Sequence, residues 1–150
     1  MNVKICYEPF DAWEEIRQYQ KAFVDVVGKY GATSLFIGTM RDFNEGETIQ
    51  SMSLVHYPGM TEKQLHKILV EAGQKWKILD ALIVHRVGEI RPDDSIVLVA
   101  VWSAHRGDAF DACRYIMEAL KSTAPFWKKE VLESGQQRWV EKNTDGYRKI

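Results

Sequence analysis

Lys121 and Lys128 stand seven residues apart, with Pro125 between them. Seven residues would be two turns of one helix, but the residue before a proline is pushed out of the helical region. The helix carrying Lys121 must therefore stop, and the chain beyond it can fold Lys128 back toward Lys121. Two ammonium groups held close lower each other's proton affinity, which suits a lysine to act as base or nucleophile near neutral pH. The ordinary alternative is a snorkelling Lys121 and a solvated Lys128–Lys129 pair.

A second group of polar residues, Ser103-Ala104-His105-Arg106-Gly107, follows an apolar run and precedes a helix start. A helix N-terminus favours anions, Arg106 can grip a phosphate or carboxylate through two N–H bonds, and His105 can exchange a proton near neutral pH. The same pair would serve equally to cap a strand and a helix. Arg41 ends another apolar run and opens the polar stretch RDFNEGE, a place where functional residues are common. His56-Tyr57-Pro58-Gly59-Met60 reads as a turn whose aromatic and histidine pack beneath it. His66 and His85 are solitary, without a second ligand at metal-site spacing. No G-x-S-x-G elbow, Walker loop or dinucleotide fingerprint is present.

Regular elements must position these groups. Asn2–Tyr7 alternates as a short strand, and residues 11–27 carry Ala12, Ile16, Tyr19 and Phe23 at near-helical spacing, ended by Gly28 and Gly31. Residues 32–40 form a strand, Arg41–Glu47 a loop, and Ile49–His56 the return strand. Thr61–Trp76 is the clearest helix, with Thr61 and Gln64 as a capping box and one apolar stripe from Leu65 to Trp76. Ala81–Val87 and Ser95–Trp102 are strands around the turn Arg91-Pro92-Asp93-Asp94. SIVLVAVW is continuously apolar, as expected of a central strand covered on both faces. A last helix starts near Asp108, and β-like patches from Phe126 to Val140 flank a Ser134-Gly135 turn. Strands and helices mix without regular alternation, so the expected class is α+β, in a single domain over residues 1–150.

Composition limits the functions available. The 150 residues carry 20 Lys plus Arg against 21 acids, a formal charge of −1. No basic surplus marks a nucleic-acid or anionic-membrane partner. Cys6 and Cys113 stand far apart in a sequence without a four-ligand Cys/His cluster, so no metal site is expected. One disulfide between them would be the alternative, but residues 1–8 lack the features of a secretory leader. No apolar run approaches the roughly 20 residues of a membrane helix. A reducing, cytoplasmic setting is expected.

Six segments, in order, carry a family likeness: Gly38-Thr39-Met40-Arg41, residues 56–63 (HYPGMTEK), residues 85–89 (HRVGE), Ser103-Ala104-His105-Arg106, residues 120–130 (LKSTAPFWKKE), and residues 137–141 (QRWVE). The chain resembles the catalytic (large) subunit of molybdopterin synthase over nearly its whole length. The resemblance implies an α/β hammerhead-type fold with an additional small antiparallel β subdomain. It implies a sulfurtransferase of molybdenum cofactor biosynthesis that makes molybdopterin from cyclic pyranopterin monophosphate. Two sulfurs would arrive on the C-terminal Gly-Gly thiocarboxylate of a small ubiquitin-like carrier, with no further cofactor. The implied assembly is a homodimer at the core of a heterotetramer.

By the same resemblance, Thr39, Met40 and Arg41 contact substrate, while His105 and Arg106 hold the pterin phosphate, reaching in from the neighbouring protomer. Lys121 and Lys128 stand beside the thiocarboxylate, Lys121 as main catalytic residue and Lys128 as its support. Lys129 and Glu130 border the pocket. Thr39-Met40 departs from the family's usual basic residue and valine, so Thr39 brings less charge. A competing expectation is a non-catalytic module that docks a ubiquitin-like tail and needs neither His105, Arg106 nor Arg41.

Overall fold

Along residues 1–140, which the computed structural model describes, the elements run β1 (Asn2–Cys6), α1 (Ala12–Lys21), β2 (Ala32–Thr39), β3 (Phe43–Asn44), β4 (Glu47–His56) and α2 (Met60–Lys75). They continue with β5 (Ile78–Arg86), β6 (Gly88–Ile90), β7 (Ser95–Ser103), α3 (Arg106–Thr123), β8 (Phe126–Leu132) and β9 (Gln137–Val140). Two sheets result. One has the order β1-β5-β7-β2; the other has β3-β4-β8-β9, with β6 added on β4.

The first sheet is organised by β7. Successive side chains of a strand point to opposite faces, and both faces of β7 are apolar. Val97, Val99 and Val101 pack against Leu65, Ile68 and Leu69 of α2 and Ile116, Met117 and Leu120 of α3. Leu98, Ala100 and Trp102 face the other way, onto Ala12 and Ile16 of α1. The strand is buried because helices cover both sides, which is why its sequence lacks alternation. Only β1 and β5 pair in parallel; β5–β7 and β7–β2 are antiparallel. The mixed sheet and the separate antiparallel sheet make the fold α+β, with the hammerhead-type arrangement and small antiparallel subdomain expected above.

The second sheet has its own apolar centre, formed by Met40, Ile49, Met52, Leu54, Ile90 and Leu132. β4 is its axis, pairing antiparallel with β8 on one side and with the short β6 on the other. Met40 links the two sheets. Its N–H donates to the Asp94 carbonyl and its own carbonyl accepts from Asp93 N–H, at 2.9 and 3.0 Å. The end of β2 is thereby pinned to the turn before β7.

Four local expectations are corrected. Residues 49–56 do not return alongside β2; the chain crosses into the second sheet, because Ile49, Met52 and Leu54 find apolar partners there. The first helix ends at Lys21 rather than near Val27. Val24 and Val27 are exposed and give no apolar stripe to hold further turns, while Phe23 closes edge-on against Trp102 with ring centroids 5.1 Å apart. The cap of α2 is Gly59, at φ 84°, whose N–H donates to Glu62 Oε2 at 2.7 Å. Thr61 Oγ1 instead accepts from Tyr57 N–H, and Gln64 Nε2 donates to Thr123 Oγ1 of α3. The last helix starts at Arg106, two residues before Asp108. Cys6 and Cys113 are both free thiols.

Gly31 gives a stability test of the β2–α3 junction. A Cβ there would lie 2.6 Å from the Ala104 carbonyl oxygen, which is backbone and has no rotamer by which to retreat. Gly31→Ala is expected to cost about 1–3 kcal/mol, the usual range for overpacking. Gly107→Ala, in the first turn of α3 with nothing within 4 Å, should be neutral or gain up to about 1 kcal/mol from helix propensity. Urea midpoints at unchanged slope measure both; equal midpoints for the two variants would refute the close approach.

Candidate active site

The seven-residue spacing resolves as the proline suggests. α3 ends at Thr123, Ala124 is extended at ψ 136°, and β8 begins at Phe126. The chain therefore reverses between the two lysines. Along β8 alternate side chains face opposite ways, so Lys128 and Glu130 share the inner face while Lys129 takes the outer one. Lys128 arrives within hydrogen-bonding reach of Lys121.

Both amines border an open cavity of about 370 Å³ at the junction of the two sheets. The end of β2 supplies Gly38 and Thr39, followed by Met40 and Arg41; β7 supplies Ile96 and Val97, β4 supplies Met52, and β8 supplies Glu130. The Arg41 guanidinium sits over the Phe43 ring, 4.8 Å from its centroid. This contact keeps the cation at the rim without neutralising it.

Electrostatics make the lysines unusual. Burial lowers the pKa of Lys121, and the charge of Arg41 adds to this, against the hydrogen bond to Lys128, which raises it. Lys128 is pushed down to about 8, first by burial and then by the Lys121 charge and hydrogen bond; only Glu130 works in the other direction. Above about pH 8 the pair shares a proton: the Lys121 ammonium donates to the Lys128 amine, and Lys128 is the first to be neutral. A free amine is thus available close to neutral pH, as nucleophilic or general-base chemistry requires.

Glu130 is buried, and its carboxylate is already committed. Arg138 Nε donates to Oε1 at 2.9 Å, and Asn44 Nδ2 donates to Oε2 at 3.1 Å. Arg138 Nη2 also donates to the Asn44 carbonyl at 2.9 Å. Glu130 therefore ties β8 to β9 and to the β3 hairpin, shaping the cavity wall.

Thr39, Met40, Arg41, Lys121, Lys128 and Glu130 are brought together. Lys129 is not. It lies on the outer face of β8 with its ammonium over the Trp139 ring, 5.7 Å from the centroid. His105 and Arg106 are also elsewhere, exposed at the opposite end of α3. The fifteen residues from Arg106 to Lys121 span roughly 22 Å at about 1.5 Å per residue.

Asn44 and Arg138 were missed by sequence reasoning, because a polar loop and a tail strand carry no periodic signal. The packing of His56 under its turn is borne out: Tyr7 Oη lies 3.2 Å from its Nε2. Tyr57 stays exposed near Trp127. Among the described residues no cluster of three or more His, Cys, Asp or Glu side chains could hold a metal ion. Glu141, which closes the sixth family-like segment, lies outside the described residues.

Comparison with known proteins gives a consistent result. A family model described as MoaE protein matches residues 5–123. The molybdopterin synthase catalytic subunit of Ralstonia nicotianae is 59% identical over 111 residues, 74% of this chain and 62% of that protein, so the match spans less than two thirds of that relative. The same subunit from Pseudomonas aeruginosa is 46% identical over 141 residues, covering 94% of this chain and 91% of that protein. Among solved structures, the molybdopterin biosynthesis MoaE protein of Burkholderia ambifaria superposes with a TM-score of 0.78 at 44% identity, covering 97% of this chain and 92% of that one. From the length and identity of these matches, the chain belongs to the MoaE protein family, the catalytic subunits of molybdopterin synthase.

Proposed function

We propose that this chain acts, as one domain, as the catalytic subunit of a molybdopterin synthase, transferring two sulfurs to cyclic pyranopterin monophosphate. The donor is the C-terminal Gly-Gly thiocarboxylate of a small ubiquitin-like carrier subunit, and the setting is cytoplasmic. The observation that carries this reading is the half-buried Lys121–Lys128 pair facing a cavity rimmed by Arg41. No helix among the described residues is long and apolar enough to cross a membrane.

The reactants on this reading are anionic. The carrier ends in a thiocarboxylate and the pterin bears a phosphate, so Arg41 and the lysine pair offset charge as the two approach. Sulfur forms its bond to a substrate carbon as an oxygen substituent of that carbon leaves as water, which joins carrier and substrate as a thioester. A water molecule then adds to the thioester carbonyl, the carbonyl–sulfur bond breaks, the sulfur stays on the substrate, and the carrier is released with its carboxylate. The Lys128 amine takes the proton from that water, and the Lys121 ammonium donates to the oxygen on which negative charge develops. Lys121 is the main catalytic residue because its hydrogen bond acts at the reacting carbonyl, and Lys128 supports it as proton acceptor. Thr39 and Met40 contact the pterin. Glu130 borders that contact through the wall it holds, and Lys129 approaches the carrier from outside. His105 and Arg106 grip the phosphate from the neighbouring protomer of a homodimer within a heterotetramer. A module that only docked a carrier tail would have no use for a second half-buried amine beside the first.

Reconstitution with thiocarboxylated carrier and pyranopterin monophosphate should yield molybdopterin; no product from correctly assembled protein would refute the assignment. Lys121→Ala should lower turnover by about 100-fold or more, the scale of a lost acid–base group, with the urea midpoint close to wild type. A near-normal rate would remove Lys121 from the chemistry.

The pH dependence has a definite sign. A neutral Lys128 amine is required, so the rate should rise with pH through about 8. Removing the neighbouring ammonium removes a repulsion that disfavours the charged form of Lys128. In Lys121→Ala the Lys128 transition should accordingly move up from about 8 toward the ordinary lysine value of 10.5. Side-chain ¹⁵N NMR titration reads this directly, and an unmoved transition would show that the two amines are not coupled.

A further inference from the structure

Behind the lysine pair lies a second, small cavity of about 30 Å³, lined by His85, Lys121, Lys128, Leu54, Leu120 and Phe126. It has room for about one water molecule. His85 comes from β5 and is buried at 4% exposure. Its Nδ1 lies 2.8 Å from the Arg86 carbonyl oxygen. A carbonyl oxygen can only accept, so Nδ1 carries the hydrogen and Nε2 is left with a lone pair. The ring is fixed as well, stacked on Phe126 with centroids 4.0 Å apart and planes 14° from parallel. Phe126 stands two residues before Lys128 on the same strand, so one contact orients both.

The charged and titratable groups that face His85 are Lys121 from α3, Lys128 from β8 and His56 from β4, with Arg86 next to it in β5. Burial chiefly, with the two lysines and His56 adding to it, holds the His85 pKa down to about 3, against the hydrogen bond to Arg86, which raises it. The ring therefore stays neutral wherever the protein works and takes no proton from the lysines. What it can do is accept. An ammonium has three donors and no acceptor, and each N–H withdrawn from water by burial needs a partner.

We propose that His85 is a positioning residue for the lysine pair: its Nε2, directly or through one water in the small cavity, accepts an N–H and turns the working amine toward the large cavity. This inference rests on the sulfur-transfer reading for its catalytic consequence but not for its geometry. An acceptor also favours the charged lysine, so His85 raises the pH at which Lys128 becomes neutral.

The experiment compares His85→Phe, which retains the stack on Phe126, with His85→Gln, whose amide oxygen reaches the Nε2 position, and His85→Asn, whose amide reaches only Nδ1. The lysine transitions are first read by ¹⁵N NMR without substrate. His85→Phe should lower the Lys128 transition by about one unit, the scale of one charge-assisted hydrogen bond. kcat should fall about tenfold, as expected for a misdirected reacting group, with KM little changed. Gln should restore most of both effects and Asn neither. Restoration by Asn but not Gln would mean that only the bond to Arg86 matters and would overturn the proposal, as would an unmoved lysine transition in His85→Phe. If His85→Phe fails to fold, the Gln–Asn contrast still decides. A wild-type protein that transfers no sulfur would refute the proposed reaction while the substrate-free titration still tests His85.

Discussion

Two amines that would each prefer water and a proton are held against one another at the wall of a cavity, and much of the surrounding architecture follows from that constraint. Lys121 is fixed by the register of α3: Ile116, Met117 and Leu120 must face β7, which places the next residue at the edge of the buried stripe. It also occupies the last turn of α3, where the helix dipole favours a cation. Lys128 has no such support, since it comes from a strand. The asymmetry explains which amine is neutral first: the helix end stabilises the ammonium of Lys121, and that ammonium disfavours a second charge on Lys128.

The second sheet makes this arrangement possible by keeping a carboxylate nearby without letting it neutralise the pair. Glu130 shares the inner face of β8 with Lys128, and a free carboxylate there would form an ion pair and hold the lysine protonated. Arg138 and Asn44 occupy both Glu130 oxygens instead. Glu130 still raises the proton affinity of Lys128, but burial and Lys121 lower it by more. The β9 strand and the β3 hairpin thus hold the carboxylate that borders the lysine pair.

Much of this was legible from residue order, and what was not has physical reasons. Pro125 announces the chain reversal because its effect on the preceding residue is local and nearly independent of context. SIVLVAVW announces a strand covered on both faces because no half-exposed strand tolerates that composition. By contrast, the partner of β4 depends on where the apolar side chains of a distant strand lie, and adjacency in sequence wrongly suggested β2. The facing of Lys129 follows from strand alternation only once Lys128 is known to point inward. His85 looks solitary in sequence because its significance lies in one hydrogen bond to its own neighbour's carbonyl and one ring face, neither of which leaves a motif.

The separation of the cations carries the last step. The formal charge of −1 is spread over a chain in which residues 105–129 hold five Lys or Arg (Arg106, Arg114, Lys121, Lys128, Lys129) against three acids (Asp108, Asp111, Glu118). That local excess is not one patch, because α3 is rigid and holds Arg106 roughly 22 Å from Lys121. No side-chain rotation closes such a distance, and the buried stripe of α3 prevents the helix from bending to do so. If one substrate is to meet both Arg106-type and Lys121-type chemistry, two copies of the chain must contribute, one from each end of the helix. A protein with a single cationic cluster could work as a monomer; if Arg106 and Lys121 serve one substrate as proposed, their places at opposite ends of α3 call for a second copy of the chain.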